Sequence, residues 1–214
     1  MANHDQHKTR RDYEGDALNR ADLHADPFQQ FSHWLQEVID FGSKDATAMT
    51  LATADADGAP SARTVLLKQH DAAGFVWFTD SRSPKGRELA VNARAELLFY
   101  WRDLDRQVRI RGTVQMLPVE HAEQYFHSRP EGSRFSTAGS VQSSIVADRS
   151  ELEARIEQLH VRYPDGNVPR PDAWVGYCLQ PRYFEFWQGR VNRLHDRFCY
   201  ALNDGGWLID RLAP

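Results

Sequence analysis

Residues 107–117 read Gln-Val-Arg-Ile-Arg-Gly-Thr-Val-Gln-Met-Leu. Val108, Ile110 and Gly112 alternate with Gln107, Arg109 and Arg111. Successive strand side chains point to opposite faces, so a period of two predicts a half-buried β-strand. Similar short runs lie before it at 47–53, 63–68, 74–79 and 96–101, and after it near 174–187, 196–202 and 206–210. Asp55-Ala-Asp57-Gly58 and Asn203-Asp-Gly-Gly206 are hairpin-type connections between such runs.

Helical patterns are fewer. Over 27–41, Phe28, Phe31, Leu35, Val38 and Phe41 recur at helical spacing. Asp26 suits the N-cap, Pro27 the first helical position, Gln29 a capping box and Gly42 the stop. Shorter helices are predicted near 84–92, capped by Ser83 ahead of Pro84, and near 118–127. Another near 149–162 carries Leu152, Ile156 and Leu159 on one face, with Asp148 or Ser150 as its cap. A loop rich in Pro, Gly and Asn follows at 163–171. Many short strands with a few inserted helices predict a mainly β protein, a small closed or partly closed β-barrel with α-helices. Strands and helices do not alternate one for one, which argues against a doubly wound α/β sheet. Residues 1–25 read as a polar, flexible N-terminal arm and 26–214 as a single domain.

Composition bounds the rest. The 214 residues are 41% hydrophobic and 26% charged, ordinary for a globular chain rather than a disordered one. Lys plus Arg is 26 against 30 Asp plus Glu, a net charge of −4. That leaves no basic footprint for sequence-independent nucleic-acid binding. Cys178 and Cys199 form no disulfide framework and no zinc-ligand spacing, so no metal is expected. No apolar run approaches a transmembrane length and the N-terminus has no signal-peptide core, so no membrane association is expected and the cytoplasm is the expected compartment.

The familiar catalytic strings are missing: no GxGxxG, P-loop, HExxH or GxSxG is present. Four constellations of basic and hydroxyl residues remain. Arg63 and Lys68 flank the apolar run Thr-Val-Leu-Leu, which also reads as a strand with charged surface ends. Phe78-Thr-Asp-Ser-Arg-Ser-Pro-Lys85-Gly86 joins a strand to a helix start, where free N–H groups, Lys85 and a hydroxyl suit a phosphate. Tyr125, Arg129 and Ser133 offer three donors near a helix end, although an arginine there also serves as an ordinary helix cap. Arg193, His195 and Arg197 fall on one face if the chain is extended, and such a row needs something anionic or electron-rich opposite, or Asp196 beside it. These separated anion sites and the many aromatics suit a flat, phosphorylated ligand without specifying a reaction.

The same segments resemble the pyridoxamine 5′-phosphate oxidase family over nearly the whole chain, from about Arg10 onward. RTVLLK (63–68), YFHSRP (125–130), QSS (142–144), EFWQG (185–189) and RLHDRF (193–198) stand in the family's order and separations. The resemblance implies an FMN-binding split β-barrel, a homodimer with the flavin between subunits. It implies FMN-dependent oxidation of pyridoxamine and pyridoxine 5′-phosphate to pyridoxal 5′-phosphate, with O2 reduced to H2O2. Arg63 and Lys85 resemble ligands of the FMN phosphate, assisted by Gln142 and Ser143. Thr64, Val65, Leu66, Leu67, Lys68, Phe78 and Thr79 resemble the wall along the flavin. Gln107 matches a contact to its ring, and Trp187 and Arg197 match residues reaching it across the dimer. Lys68, Tyr125, Arg129 and Ser133 resemble the substrate phosphate cradle. Arg193 and His195 match the residues that hold the pyridine ring in place for catalysis, and Arg10 and Tyr13 resemble a lid. Of the 26 basic residues, seven thus map to one expected site.

Two positions depart from the family pattern. Pro84 stands where a basic residue is frequent, with Arg82 near enough in sequence to replace it. Phe78 stands where Tyr is frequent. Two neighbouring classes share this resemblance: a flavin oxidase of the phenazine-biosynthesis type, and a non-catalytic flavin- or haem-binding split barrel. The complete phosphate cradle argues against the first, and retention of Arg193 and His195 against the second.

Overall fold

The computed structural model describes residues 12–214. The expected strand around 107–117 is β6, Arg106–Met116. Val108, Ile110, Gly112 and Val114 are buried and Arg111, Thr113 and Gln115 exposed, as the alternation requires. Gly112 is obligatory there, because a Cβ would lie 2.0 Å from the Gln180 carbonyl oxygen. The other strands are β1 Ala48–Ala54, β2 Pro60–Leu66, β3 Gln69–Asp71, β4 Gly74–Asp80, β5 Arg94–Trp101, β7 Trp174–Gln188, β8 Asp196–Asn203 and β9 Gly206–Leu212. Their hydrogen-bonded order is β2-β1-β5-β6-β7-β4-β3, with β8 pairing β7 and β9 pairing β8. The helices are α1 Pro27–Asp40, α2 Pro84–Val91, α3 Val119–Ser128, α4 Glu131–Ala138 and α5 Arg149–Arg162. Among the described residues, no helix is long and apolar enough to cross a membrane.

The chain gathers into two compact units. The first comprises the residues up to Met49, Leu97–Ile110 and Arg182–Pro214. Its core forms where α1 buries Phe31, Trp34 and Val38. Phe31 meets Phe99 at 4.9 Å and Trp34 meets Phe186 edge-on at 5.2 Å. Asp26 caps α1 through the Phe28 N–H. The expected capping box through Gln29 does not form; Gln30 reaches back instead and accepts from the His24 N–H at 3.0 Å. Residues 12–25 are tied to this unit: the Leu18 N–H donates to Asp196 and the Glu14 N–H to Asp105.

The second unit comprises Thr50–Glu96 and Arg111–Pro181. Its apolar centre is Ala122, Phe126, Phe135, Val168 and Trp174, with Ile156 and Leu159 of α5 packed against it. The capping expectations hold at α2, where Ser83 accepts from the Gly86 N–H, and at α5, where Asp148 accepts from the Glu151 N–H. The run expected as a strand at 63–68 ends at Leu66. Lys68 then donates its N–H to the Val76 carbonyl and leads into β3.

Candidate active site

In the second unit, a cavity of about 450 Å³ is lined by Arg63, Thr64, Val65, Leu66, Lys68, Phe78, Thr79, Pro84, Lys85, Gln142 and Ser143. Local sequence explains the assembly. β2 has the alternating exposure of an edge strand and presents Arg63 and Val65 on one face. β4 ends at Asp80, a three-residue turn follows, and Ser83 starts α2, which places Lys85 in its first turn. Ser143 has a φ of 67°, a left-handed bend that turns the 140–146 loop at the cavity wall. Ten of the eleven residues expected from this unit to line a cofactor site meet here. Leu67 is the exception: it is 4% exposed and faces the core.

The electrostatics of the cavity are unusual for a protein interior. Lys85 is buried, and its Nζ donates to Gln142 Oε1 at 2.7 Å, Ser83 Oγ at 3.1 Å and Thr79 Oγ1 at 3.2 Å. All three partners are neutral, and among the described residues no carboxylate is bonded to it. Burial first, and the Arg63 charge second, pull the Lys85 pKa below the ordinary lysine value; Asp80 and Glu88 oppose this without prevailing. A buried cation without an ionic partner is costly unless something anionic completes it. Arg63, by contrast, is paired with Glu88 at 3.2 Å. Burial alone would raise the Glu88 pKa, but hydrogen bonds from Thr53, Ser61 and Arg63 outweigh it and hold the carboxyl below its ordinary value.

Arg82, near enough in sequence to stand in for a basic residue at Pro84, is turned to Asp80 in this structure. Its guanidinium is committed to Asp80, with Nη2 at 2.6 Å from Oδ2 and Nε at 3.0 Å from Oδ1, and it does not line the cavity. The Asp80 carboxylate is a stronger acceptor than any group at the rim, and two-residue spacing closes the pair locally. Pro84 lines the cavity without a donor. Phe78 keeps the aromatic wall, stacked on Tyr125 at 4.3 Å and Trp174 at 5.3 Å.

A second cavity of about 260 Å³ shares Lys68 and Phe78 with the first and adds Tyr125, His121, Gln124 and Ser128. Arg129 and Ser133 do not line it. Arg129 is half-buried, donates to Thr137 Oγ1 at 2.9 Å and lies over the Trp174 ring at 5.0 Å. Burial lowers its pKa, and no acidic side chain is paired with it among the described residues. Ser133 sits half-buried in α4.

The first unit holds the remaining expected residues. Tyr13 packs edge-on against Trp187 at 5.5 Å and His195 at 5.2 Å, and Arg193 lies over the Tyr13 ring at 5.4 Å. Arg10 falls outside the described residues. Gln107 is half-buried on β6. The extended conformation that would put Arg193, His195 and Arg197 on one face is not adopted. Val191–Arg193 is a 3-10 turn, Asn192 and Arg193 have positive φ, and β8 begins only at Asp196. The turn is closed by the Arg190 N–H donating to His195 Nδ1 at 3.1 Å and by the Leu194 N–H donating to the Val191 carbonyl. A backbone N–H only donates, so Nδ1 accepts and the neutral ring carries its proton on Nε2. Burial first, then the Arg193 charge, hold the His195 pKa below 6.5.

Arg197 stands opposite Trp187 in the β7–β8 ladder and grips the buried Glu185 from the diagonal position, at 2.9 Å through Nε and 2.8 Å through Nη2. Glu185 also accepts from Arg109 at 3.1 Å and from the Tyr183 hydroxyl. Neither carboxylate, Glu88 nor Glu185, carries a local motif that announces its partner. Each is distant in sequence from its arginine, and only strand register brings Glu185 to Arg197. Among the described residues no group of three or more His, Cys, Asp or Glu is placed to hold a metal.

Fold and cavity together define a mainly β, barrel-type protein with a cationic pocket shaped for a small anionic ligand. Comparisons with known proteins carry this further. Residues 35–163 match the family profile described as pyridoxamine 5′-phosphate oxidase. Residues 174–214 match the pyridoxine 5′-phosphate oxidase C-terminal dimerisation region. The chain is 49% identical to pyridoxine/pyridoxamine 5′-phosphate oxidase 1 of Hydrogenovibrio crunogenus, covering 100% of each. It is 50% identical to pyridoxine/pyridoxamine 5′-phosphate oxidase of Deinococcus deserti, over 92% of this chain and 93% of that one. Among solved structures, PhzG from Burkholderia lata 383, in complex with tetrahydrophenazine-1-carboxylic acid, superposes with a TM-score of 0.88 at 31% identity, covering 94% of this chain and 99% of that one. A pyridoxamine 5′-phosphate oxidase-related, FMN-binding protein from Nostoc punctiforme shares the fold, with a TM-score of 0.71 at 15% identity over 90% of this chain and all of that one. The chain belongs to the pyridoxamine 5′-phosphate oxidase family and is an oxidoreductase of the split-barrel fold.

Proposed function

We propose that this oxidoreductase oxidises pyridoxamine and pyridoxine 5′-phosphate to pyridoxal 5′-phosphate, using FMN held in the second-unit cavity and O2 as the final acceptor, which leaves as H2O2; the amine substrate also takes up one water and releases ammonia. One observation carries the cofactor reading: Lys85 is a buried cation bonded, among the described residues, only to neutral groups, in a cavity it shares with Arg63. A phosphate monoester supplies the missing anion, and Phe78, Val65 and Leu66 give a flat ligand an apolar wall. Gln142 and Ser143 add polar partners at the rim. FMN, when bound, supplies the hydride acceptor and the site at which O2 is reduced to H2O2.

The chain's own residues bind and orient. Lys68 and Tyr125, in the adjoining cavity, take the substrate phosphate, with Arg129 and Ser133 closing round it. Lys68 lines both cavities, so a substrate held in one would lie next to a cofactor held in the other. His195, neutral and fixed through Nδ1, offers an Nε2–H donor to position the pyridine ring or its 4′ substituent. Arg193 supplies positive charge beside it. Gln107, Trp187 and Arg197 complete the flavin contacts in a homodimer, a reading supported by the match to the dimerisation region. Arg10 and Tyr13, in the 1–25 arm ahead of the 26–214 domain, cover the substrate. The cytoplasm is the proposed compartment, in keeping with two buried, unpaired cysteines.

The flavin reading is tested on the purified protein. It should be yellow and release FMN on denaturation; a colourless protein that fails to take up added FMN overturns it.

A further inference from the structure

Arg63 reaches the cavity already held by a closed set of hydrogen bonds. Its Nη1 donates to Thr53 Oγ1 and, at 3.3 Å, to the Leu51 carbonyl. Its Nη2 donates to Ser61 Oγ and, at 3.2 Å, to Glu88 Oε2. Thr53 and Ser61 in turn both donate to the same Glu88 oxygen, Ser61 at 2.7 Å. Chemistry fixes the direction of every bond. A guanidinium only donates and a carboxylate only accepts, so each hydroxyl receives from Arg63 and passes its single hydrogen to Glu88.

The set ties three elements together. Thr53 stands on β1, Ser61 and Arg63 on β2, and Glu88 on α2 one turn beyond Lys85. The helix that delivers Lys85 to the cavity therefore also carries the carboxylate that holds Arg63.

We propose that Glu88, Thr53 and Ser61 are positioning residues: they clamp the Arg63 guanidinium in the orientation that recognises the phosphate end of the cofactor, and so set the preference for a phosphorylated flavin over its dephosphorylated form. This rests on the reading that the cavity takes FMN. The alternative role for Glu88, simple compensation of charge, leads to the opposite result. Without the Glu88 charge the cavity would be more cationic and would hold a phosphate more tightly.

Thr53→Val separates the two, because it breaks one relay without changing any charge. The test is titration of the flavin-free full-length protein with FMN and with riboflavin, followed by quenching of flavin fluorescence. Loss of one bond to a charged group predicts a Kd for FMN raised by about tenfold in Thr53→Val and by more in Glu88→Gln. The Kd for riboflavin stays within about twofold of the parent, since only the phosphate senses Arg63. Ser61→Ala gives a third reading of the same clamp should Glu88→Gln fail to fold. Unchanged or tighter FMN binding in Thr53→Val overturns the proposal, as does an equal loss of both flavins, which would make the network merely structural. A parent protein that binds FMN no better than riboflavin fails at an earlier point: it removes the phosphate site itself and the clamp with it.

Discussion

Lys85→Met is the most revealing single substitution in the cavity. Methionine keeps an unbranched apolar stem and removes the charge. In the flavin-free protein each partner of Lys85 retains another bond. Gln142 Oε1 still accepts from the Thr79 hydroxyl at 2.7 Å, and Ser83 Oγ still accepts from the Gly86 N–H. No buried acceptor is orphaned and no carboxylate is stranded, so the usual penalty of about 3–5 kcal/mol for breaking a buried ion pair does not arise. Relief of the desolvated charge offsets the lost hydrogen bonds to neutral partners, and stability should lie within about 1 kcal/mol of the parent or above it. With FMN the balance reverses. One charge-assisted contact to phosphate contributes about 1.5–3 kcal/mol, so the Kd for FMN should rise roughly 10- to 150-fold. Urea unfolding of the flavin-free variant and fluorescence titration with FMN and riboflavin measure the two effects. A variant destabilised by about 3 kcal/mol or more, with FMN and riboflavin affinities in their parental ratio, would refute the reasoning and make Lys85 a structural cation.

Other expectations follow from the same geometry. FMN affinity should fall with rising pH from below 10.5, because the Lys85 pKa is depressed and the charge that holds phosphate is lost as pH passes through it; a parallel fall for riboflavin would contradict this. The neutral form of His195 is favoured, so its protonation is postponed below 6.5; kcat/KM should hold through that pH and decline beneath it, and an acid limb above 6.5 abolished by His195→Asn would count against the assignment. Arg129→Ala should raise KM for pyridoxine 5′-phosphate by roughly tenfold or more with flavin content unchanged, whereas equal losses would move Arg129 out of the substrate cradle. Arg193→Ala should cut turnover with FMN still bound, and unchanged kcat and KM would remove it from the site.

Elements that carry their own local signal were legible in the chain. β6 alternates cleanly, α1 and α2 have side-chain caps where Asp26 and Ser83 predict them, and α5 is capped by Asp148, one of its two candidates beside Ser150. Elements made by tertiary contact were not. α4, Glu-Gly-Ser-Arg-Phe-Ser-Thr-Ala, has poor helix formers and is held by burial of Phe135 beside Phe126 and Trp174. β3 is three residues long and exists only as the return of β4. The turn at 191–195 needs positive φ at Arg193, which no residue preference announces.

The site divides in the same way. Runs such as 63–68 and 78–85 carry their cavity-lining residues within a few positions, so the cavity they line was readable from motifs. The carboxylates that organise the arginines were not, because Glu88 meets Arg63 through helix placement and Glu185 meets Arg197 and Arg109 through strand register. The pairing of Arg82 is local instead. Asp80, two residues away, takes up its guanidinium before any ligand is considered.

Peroxide release by the FMN-loaded protein tests the central claim most directly. Pyridoxamine and pyridoxine 5′-phosphate are each compared with the same compound lacking its phosphate. The account predicts stoichiometric H2O2 and pyridoxal 5′-phosphate from the phosphorylated forms, and a loss of at least about tenfold in kcat/KM without the phosphate. Equal turnover of both forms, or none with either, would contradict it.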